Sequence, residues 1–454
     1  MLLPMVTSTK HKDRRYMDMT HTDSRAHTHS QHYSEHVPQH LAVTTPPIPR
    51  TCWRFFLISC LLLTFTSLSQ ARTIVEFWHA QGTMHAQIDA FAQAFNASQN
   101  EFEVVTRHLG DYATASIELV AALNSGRAPS LFDAEGTVFA RLLEDEALAD
   151  LSPWLETIPS ELIDDIYSAQ WEFGSSNGGR YGLPWNMSMP LLFYNATAFR
   201  QRNTEPPQTW AEFELAAERL TTRQTQGYIN VSAAFIFETL VNAQGGRILD
   251  DDGLPLFTSP EAIEALTMLR RISDRGHSIN RSFAEAEIAL VDFVRTKGMM
   301  AFASQAFWTQ GERYSVAFEP GAVPIPAEHP EARVPLIGAQ LVVPAQASAD
   351  AQRGAVAFWV FLMEPENVAA WVRRSHFLPA RRAAMPLLED WYAENSVRAA
   401  VLPQLERALL RPRIGNYVIW QGYLEEAIDR SLQGGMDPQQ ALTEAQRRAE
   451  AELP

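Results

Sequence analysis

The chain has little cysteine, little lysine and no long apolar run. Its 454 residues hold only two cysteines, Cys52 and Cys60. Both lie within residues 1–71, a stretch the sequence marks for removal. The remainder therefore offers neither a disulfide framework nor thiol chemistry. Lys297 is the only lysine after residue 12. With 37 basic against 53 acidic residues, the net charge is -16. That balance argues against nucleic acid as a partner, because phosphate backbones demand a basic face. There is no His-Glu-x-x-His and no phosphate loop. The common signatures of zinc peptidases and nucleotide enzymes are thus missing. The apolar stretch Phe55 to Phe65 falls short of the roughly 20 residues that a spanning helix requires.

Those first residues have the form of a secretory leader. Residues 1–50 are polar and carry seven of the 13 histidines. His27, His29, His32, His36 and His40 have no Cys or carboxylate spaced with them as metal ligands, so no metal site is expected. Arg50 and Arg54 then precede the short apolar core, and small residues stand at Ser69 and Ala71. Leu57-Ile58-Ser59-Cys60 has the look of a lipoprotein box, but most of the apolar core follows Cys60. Cleavage after Ala71 is the favoured reading. A secreted, acidic, cysteine-free chain suits the bacterial periplasm.

The next residues read as α/β. Thr73 to His79 is a near-continuous apolar run, as in a buried parallel strand. Ile88, Phe91 and Phe95 mark one face of a helix over about 84–96. Phe102, Val104 and Val105 begin a second strand. Strand, helix and strand so closely spaced predict a right-handed βαβ unit and a parallel sheet. A third short strand runs Ser130 to Asp133. Ligands of open parallel sheets sit beyond the carboxyl ends of strands. That places Tyr112 and Glu135 on a ligand rim, although Glu135 is equally suited to a helix N-terminus.

The centre of the chain is Arg180 to Asn195. Extended Tyr181–Pro184 and the apolar Leu191–Tyr194 flank a stiff polar stretch with Trp185, Ser188 and Pro190. Such a stretch carries a chain from one lobe to another past a ligand. Beyond it, Thr209 and Ser259 are helix caps, with Pro260 in a first turn, and Phe283 to Val294 reads as a helix. Lys297 to Phe302 is a strand ending at Ser304. Ile337 to Val343 is another, with Gly338 where backbone could approach a ligand. The rest, from Gln352 onward, reads as helical. Trp185 and Trp308 are assigned mainly to the space between lobes, and Trp78 and Trp210 to the core.

Together these segments resemble a known family. The leader, Ile74-Val-Glu-Phe-Trp-His79, Tyr181-Gly-Leu-Pro-Trp-Asn186 with Leu191-Leu-Phe-Tyr-Asn195, Pro206-Pro-Gln-Thr-Trp210, Lys297-Gly-Met-Met-Ala-Phe302 and Phe377-Leu-Pro-Ala-Arg381 are similar to those of the solute-binding proteins of ABC importers, maltodextrin-binding class. Leu410-Arg-Pro-Arg413-Ile-Gly-Asn-Tyr417 points to the subgroup that binds sn-glycerol 3-phosphate. The resemblance implies a two-lobed α/β periplasmic-binding fold with a ligand cleft and hinge crossings near 185–189, 302–305 and 338–343. It implies residues 72–186 and 305–338 in one lobe, and 187–304 and 339–454 in the other. It assigns Tyr112 and Glu135 to a glycerol, and Ser188, Ser304, Gly338 and Arg413 to a phosphate. Phe377 stands where the subgroup has a tyrosine, and a tryptophan of the second lobe has no counterpart near Val231 to Phe235. Those departures admit a larger ligand such as a glycerophosphodiester.

The implied partners are a small phosphorylated polyol and the membrane subunits of an ABC permease. No cofactor is expected, and the protein should be a monomer. An oligosaccharide or polyol ligand remains an alternative. A secreted glycosidase is a remote one, since the acid runs Glu144-Asp145-Glu146 and Asp250-Asp251-Asp252 read as solvated faces.

Overall fold

A computed structural model describes residues 71–250, 252–312, 317–328 and 332–453. The leader, both cysteines and the histidine-rich segment lie outside these residues.

The first sheet begins with β1 (Thr73–His79), β2 (Phe102–His108) and β3 (Leu131–Glu135). All three are parallel, with Thr73 opposite Phe102 and Phe77 opposite Leu131. The helix His85–Ser98 covers them, burying Ile88, Phe91 and Phe95 as their spacing required. A small hairpin, β4 (Ser175–Ser176) and β5 (Gly179–Arg180), precedes the long strand β6 (Gly182–Ser188). Only Met189 separates β6 from β7 (Pro190–Asn195), yet β7 belongs to a different sheet. The chain changes lobe across that one residue.

The second sheet adds β8 (Tyr228–Ser232), β9 (Ser278–Ser282), β10 (Met300–Ser304) and β11 (Pro320–Val323) to β7, in the order β11-β7-β10-β8-β9. β8, β9 and β10 are mutually parallel, and β7 is antiparallel to β10. Three serines, Ser232, Ser282 and Ser304, therefore end the parallel strands at one edge. The chain then returns. β12 (Val334–Val342) lies antiparallel to both β3 and β6, and β13 (Ala408–Leu410) is parallel to its first residues. Thr209 and Ser259 cap their helices as expected, Thr209 in a reciprocal box with Glu212. Among the described residues no helix is long and apolar enough to cross a membrane.

Several expectations change. Residues 320–323 join the second sheet, not the first. Residues 339–342 and 408–410 lie in the first sheet, where the resemblance implied the second lobe. The helices Ala349–Leu362 and Pro365–Ser375 also pack on the first sheet, with Phe358 against Phe77 and Phe95 at ring distances of 6.1 and 5.3 Å. The indole of Trp359 donates to the Pro184 carbonyl at 3.0 Å. The chain's last helices, Tyr417–Leu432 and Pro438–Glu450, pack by contrast on the second lobe, and Arg270 donates to the Ser431 carbonyl at 2.6 Å. Local patterns mark where a chain crosses but not how long it stays. Membership follows which apolar face each helix covers. Two smaller corrections concern the ends of elements. Tyr112 opens a helix, Tyr112–Asn124, capped by Asp111, and Gly338 falls mid-strand in β12.

Candidate functional site

The crossing is built from strand ends. Ser188 closes β6 and Ser304 closes β10, and their hydroxyls are hydrogen-bonded to one another. Ser304 Oγ also accepts from the Ala306 amide at 3.2 Å. The Gln305 amide donates to the Met189 carbonyl at 3.0 Å, and its side chain to the His376 carbonyl at 2.9 Å. The Leu378 amide meets the Met187 carbonyl at 2.7 Å. Segments distant in sequence are thus tied to the single-residue link between lobes.

Gly338 lies opposite Met187 with φ 131°. A Cβ there would sit 1.9 Å from the Asn186 carbonyl oxygen. The approach of β6 alone accounts for the glycine.

The first-lobe rim centres on a carboxylate that the sequence did not single out. Asp133, inside β3, is fully buried. It accepts from Gln81 at 2.7 Å, from Asn186 at 3.2 Å and from the Tyr112 hydroxyl at 3.4 Å. Gln81 also meets Tyr112 at 2.5 Å. Asn186 in turn accepts from the Trp371 indole at 3.0 Å. Burial pushes the Asp133 carboxyl up to about 7, against the opposing pull of its three donors. The same burial, with Asp133 beside it, holds the Tyr112 phenol well above its ordinary range. The aspartate within the run Leu131-Phe-Asp-Ala134 was the available signal, since a polar residue inside a buried strand needs partners. Glu135 ends β3 and caps the helix Gly136–Glu144, accepting from the Thr137 amide at 2.9 Å. It also stands 3.9 Å from Arg411.

Two arginines follow β13, and they differ. Arg411 forms a two-point pair with the buried Glu238 at 2.8 and 2.7 Å, and the Tyr417 hydroxyl joins the same carboxylate at 2.5 Å. Burial opposes the Arg411 charge, but Glu238 prevails and its pKa is raised. Arg413 is half-buried, and burial lowers its pKa. Its described bonds all run through Nη1, to the carbonyls of Glu172, Phe173 and Ser175. Among the described residues no carboxylate is hydrogen-bonded to it. Both arginines line a cavity of about 270 Å³ with Asn242, Ile248 and Pro335.

The pattern of the bacterial extracellular solute-binding protein family matches residues 90–400, well over half of the chain. The chain belongs to that family. The sn-glycerol-3-phosphate-binding periplasmic protein UgpB of Escherichia coli is 24% identical over 407 residues, covering 83% of this chain and 92% of that one. UgpB of Mycobacterium tuberculosis, solved in complex with glycerophosphocholine, superposes with TM-score 0.75 at 21% identity, over 83% of this chain and 97% of that one. A substrate-binding protein of Listeria monocytogenes in complex with cycloalternan gives TM-score 0.72 at 20% identity, over 84% and 98%. The two-lobed fold is that of the periplasmic solute-binding proteins.

In this solute-binding protein the expected site residues fall into separate groups. Ser188 and Ser304 touch. Glu135 and Gly338 lie in adjoining, paired strands, with Ala339 opposite Glu135. Tyr112 joins the Asp133 network. Phe377 stacks on Trp371 at 6.3 Å, and Trp371 on Trp185 at 4.6 Å. No described contact links Arg413 or Phe377 to the two serines. Trp185 and Trp308 are both buried, as are Trp78 and Trp210, in keeping with core roles. Among the described residues no group of three potential ligands could hold a metal.

Proposed function

We propose that this protein is the periplasmic solute-binding component of an ABC importer, capturing sn-glycerol 3-phosphate or a glycerophosphodiester by hinge closure and delivering it to the permease. The observation that carries the phosphate reading is Arg413. In so acidic a chain, a half-buried guanidinium spends one nitrogen on carbonyls and leaves Nε and Nη2 without a described partner. That is the geometry for a paired, charge-assisted grip on phosphate. The hydroxyls of Ser188 and Ser304 are donors that can exchange their mutual bond for one to an anion. Tyr112, set by Asp133 and Gln81, and Glu135 supply polar contacts for glycerol hydroxyls. The glycerophosphocholine bound by the M. tuberculosis protein supports the same ligand class. The ligand bridges two lobes joined through Met189, so the closed form gains contacts the open form lacks.

Calorimetric titration with glycerol 3-phosphate, glycerophosphocholine, ribitol and maltose tests this reading. Binding only of the phosphorylated compounds, weakened about tenfold or more by Arg413→Ala, is the expected result. Tight maltose or ribitol binding, indifferent to Arg413, would overturn it in favour of a second reading. That reading, an oligosaccharide or polyol ligand, draws support from the hydroxyl-acceptor rim at Glu135.

A further inference from the structure

Beside Ser304 the second lobe opens into a cavity of about 150 Å³. It lies across the carboxyl ends of β8 and β10, against the helix Ala286–Val294. Phenylalanine rings form its walls, among them Phe235, Phe283, Phe302 and Phe307, with small Ala286 and Ala303 between them. Among the described residues of the lining, Ser304 supplies the only polar side-chain atom. Phe283 is 50% exposed, so the apolar lining reaches the surface at that ring. Ser304 is also the partner of Ser188 at the crossing, so the cavity adjoins the place assigned above to the phosphate.

We infer that this cavity takes a bulky, methylated end group of the captured ligand, a trimethylammonium or a branched alkyl, esterified to the phosphate of a glycerophosphodiester. The inference rests on the phosphate reading and narrows it. A hydroxylated or primary-amine group entering the cavity would give up water and find one hydroxyl in exchange, a net loss. A methyl-rich group has little hydration to lose and gains apolar burial. A trimethylammonium gains in addition from ring faces, which attract cations. Free glycerol 3-phosphate would leave the cavity empty.

The test is calorimetric titration of the protein with glycerol 3-phosphate, glycerophosphocholine, glycerophosphoethanolamine and the neutral 3,3-dimethylbutyl diester of glycerol phosphate. The choline and dimethylbutyl diesters should bind about tenfold tighter than the ethanolamine diester. Ala286→Leu, which adds bulk to the lining of the cavity, should cancel that advantage and leave glycerol 3-phosphate within about twofold. Phe283→Ala, at an exposed position, should reduce the same advantage without disturbing the core. Choline above dimethylbutyl would identify the cation as the preferred source of the methyl groups. Equal binding would identify shape and burial, and either order supports the inference. Glycerol 3-phosphate binding with no discrimination among the diesters overturns it and leaves the phosphate reading standing. Ala286→Leu weakening every ligand alike also overturns it. No binding by any of these phosphorylated compounds overturns both.

Discussion

Gly338→Ala separates a structural glycine from a ligand-contacting one. The added Cβ would lie 1.9 Å from the Asn186 carbonyl oxygen and 3.0 Å from the Met187 Cα. Neither neighbour is a side chain that can swing away; both are backbone of β6. The residue also sits at φ 131°, a region in which a side-chain-bearing residue costs about 1–3 kcal/mol. To relieve the clash, β12 must part from β6 locally. One or two ladder hydrogen bonds are then lost at about 1 kcal/mol each. A destabilisation of about 2–5 kcal/mol follows. The assay is urea unfolding followed by tryptophan emission, with the slope compared to confirm that the transition itself is unchanged. Trp185 lies in β6 and stacks on Trp371, so the emission reports on this region. A variant within about 0.5 kcal/mol of the parent, altered only in ligand affinity, would refute the structural account and return Gly338 to the ligand.

Other outcomes follow from the buried polar groups. Glu238→Leu strands Arg411 without its carboxylate and should cost about 3–5 kcal/mol in the same unfolding assay. Ser188→Ala removes the bond to Ser304 at a buried position and should cost about 0.5–1.5 kcal/mol; no further loss when Ser304 is also changed to alanine would place the whole effect in that pair. Asp133 has a pKa of about 7 in the folded protein against an ordinary 3.8. The folded state therefore keeps a proton that the unfolded chain has lost, and stability falls as pH rises from about 4 to about 7. Asp133→Asn removes that dependence, so its stability relative to the parent should rise between pH 5 and pH 8. A difference that does not change with pH would refute the assigned burial.

Much of the architecture was legible because it is written locally. Apolar runs, cap residues and the βαβ spacing depend on neighbours in sequence, and they placed β1, β2, β3 and their helices within a few residues of where they lie. The crossing at 185–189 was visible for the same reason, as a stiff polar stretch between two buried strands. The roles of site residues were less legible. Glu135 does cap a helix, as its position before Gly136 allowed. Whether Arg413 or Arg411 is consumed by a carboxylate depends on Glu238, which lies in a helix far away in sequence. Asp133 escaped notice because its partners, Gln81, Tyr112 and Asn186, come from three separate segments.

By itself, the sequence determined that this is an acidic, cysteine-poor α/β chain resembling the solute-binding family, with a lobe crossing near 185–189. Those properties follow from composition and short-range pattern, which tertiary contacts do not alter. The tertiary structure alone decided that 349–375 cover the first sheet and that Gly338 answers to the Asn186 carbonyl. It also decided that Arg413 lines a cavity with Nε and Nη2 unpartnered among the described residues, while Arg411 is paired to Glu238. Each of these turns on which remote backbone or charge comes within a few ångströms, and only folding brings them there.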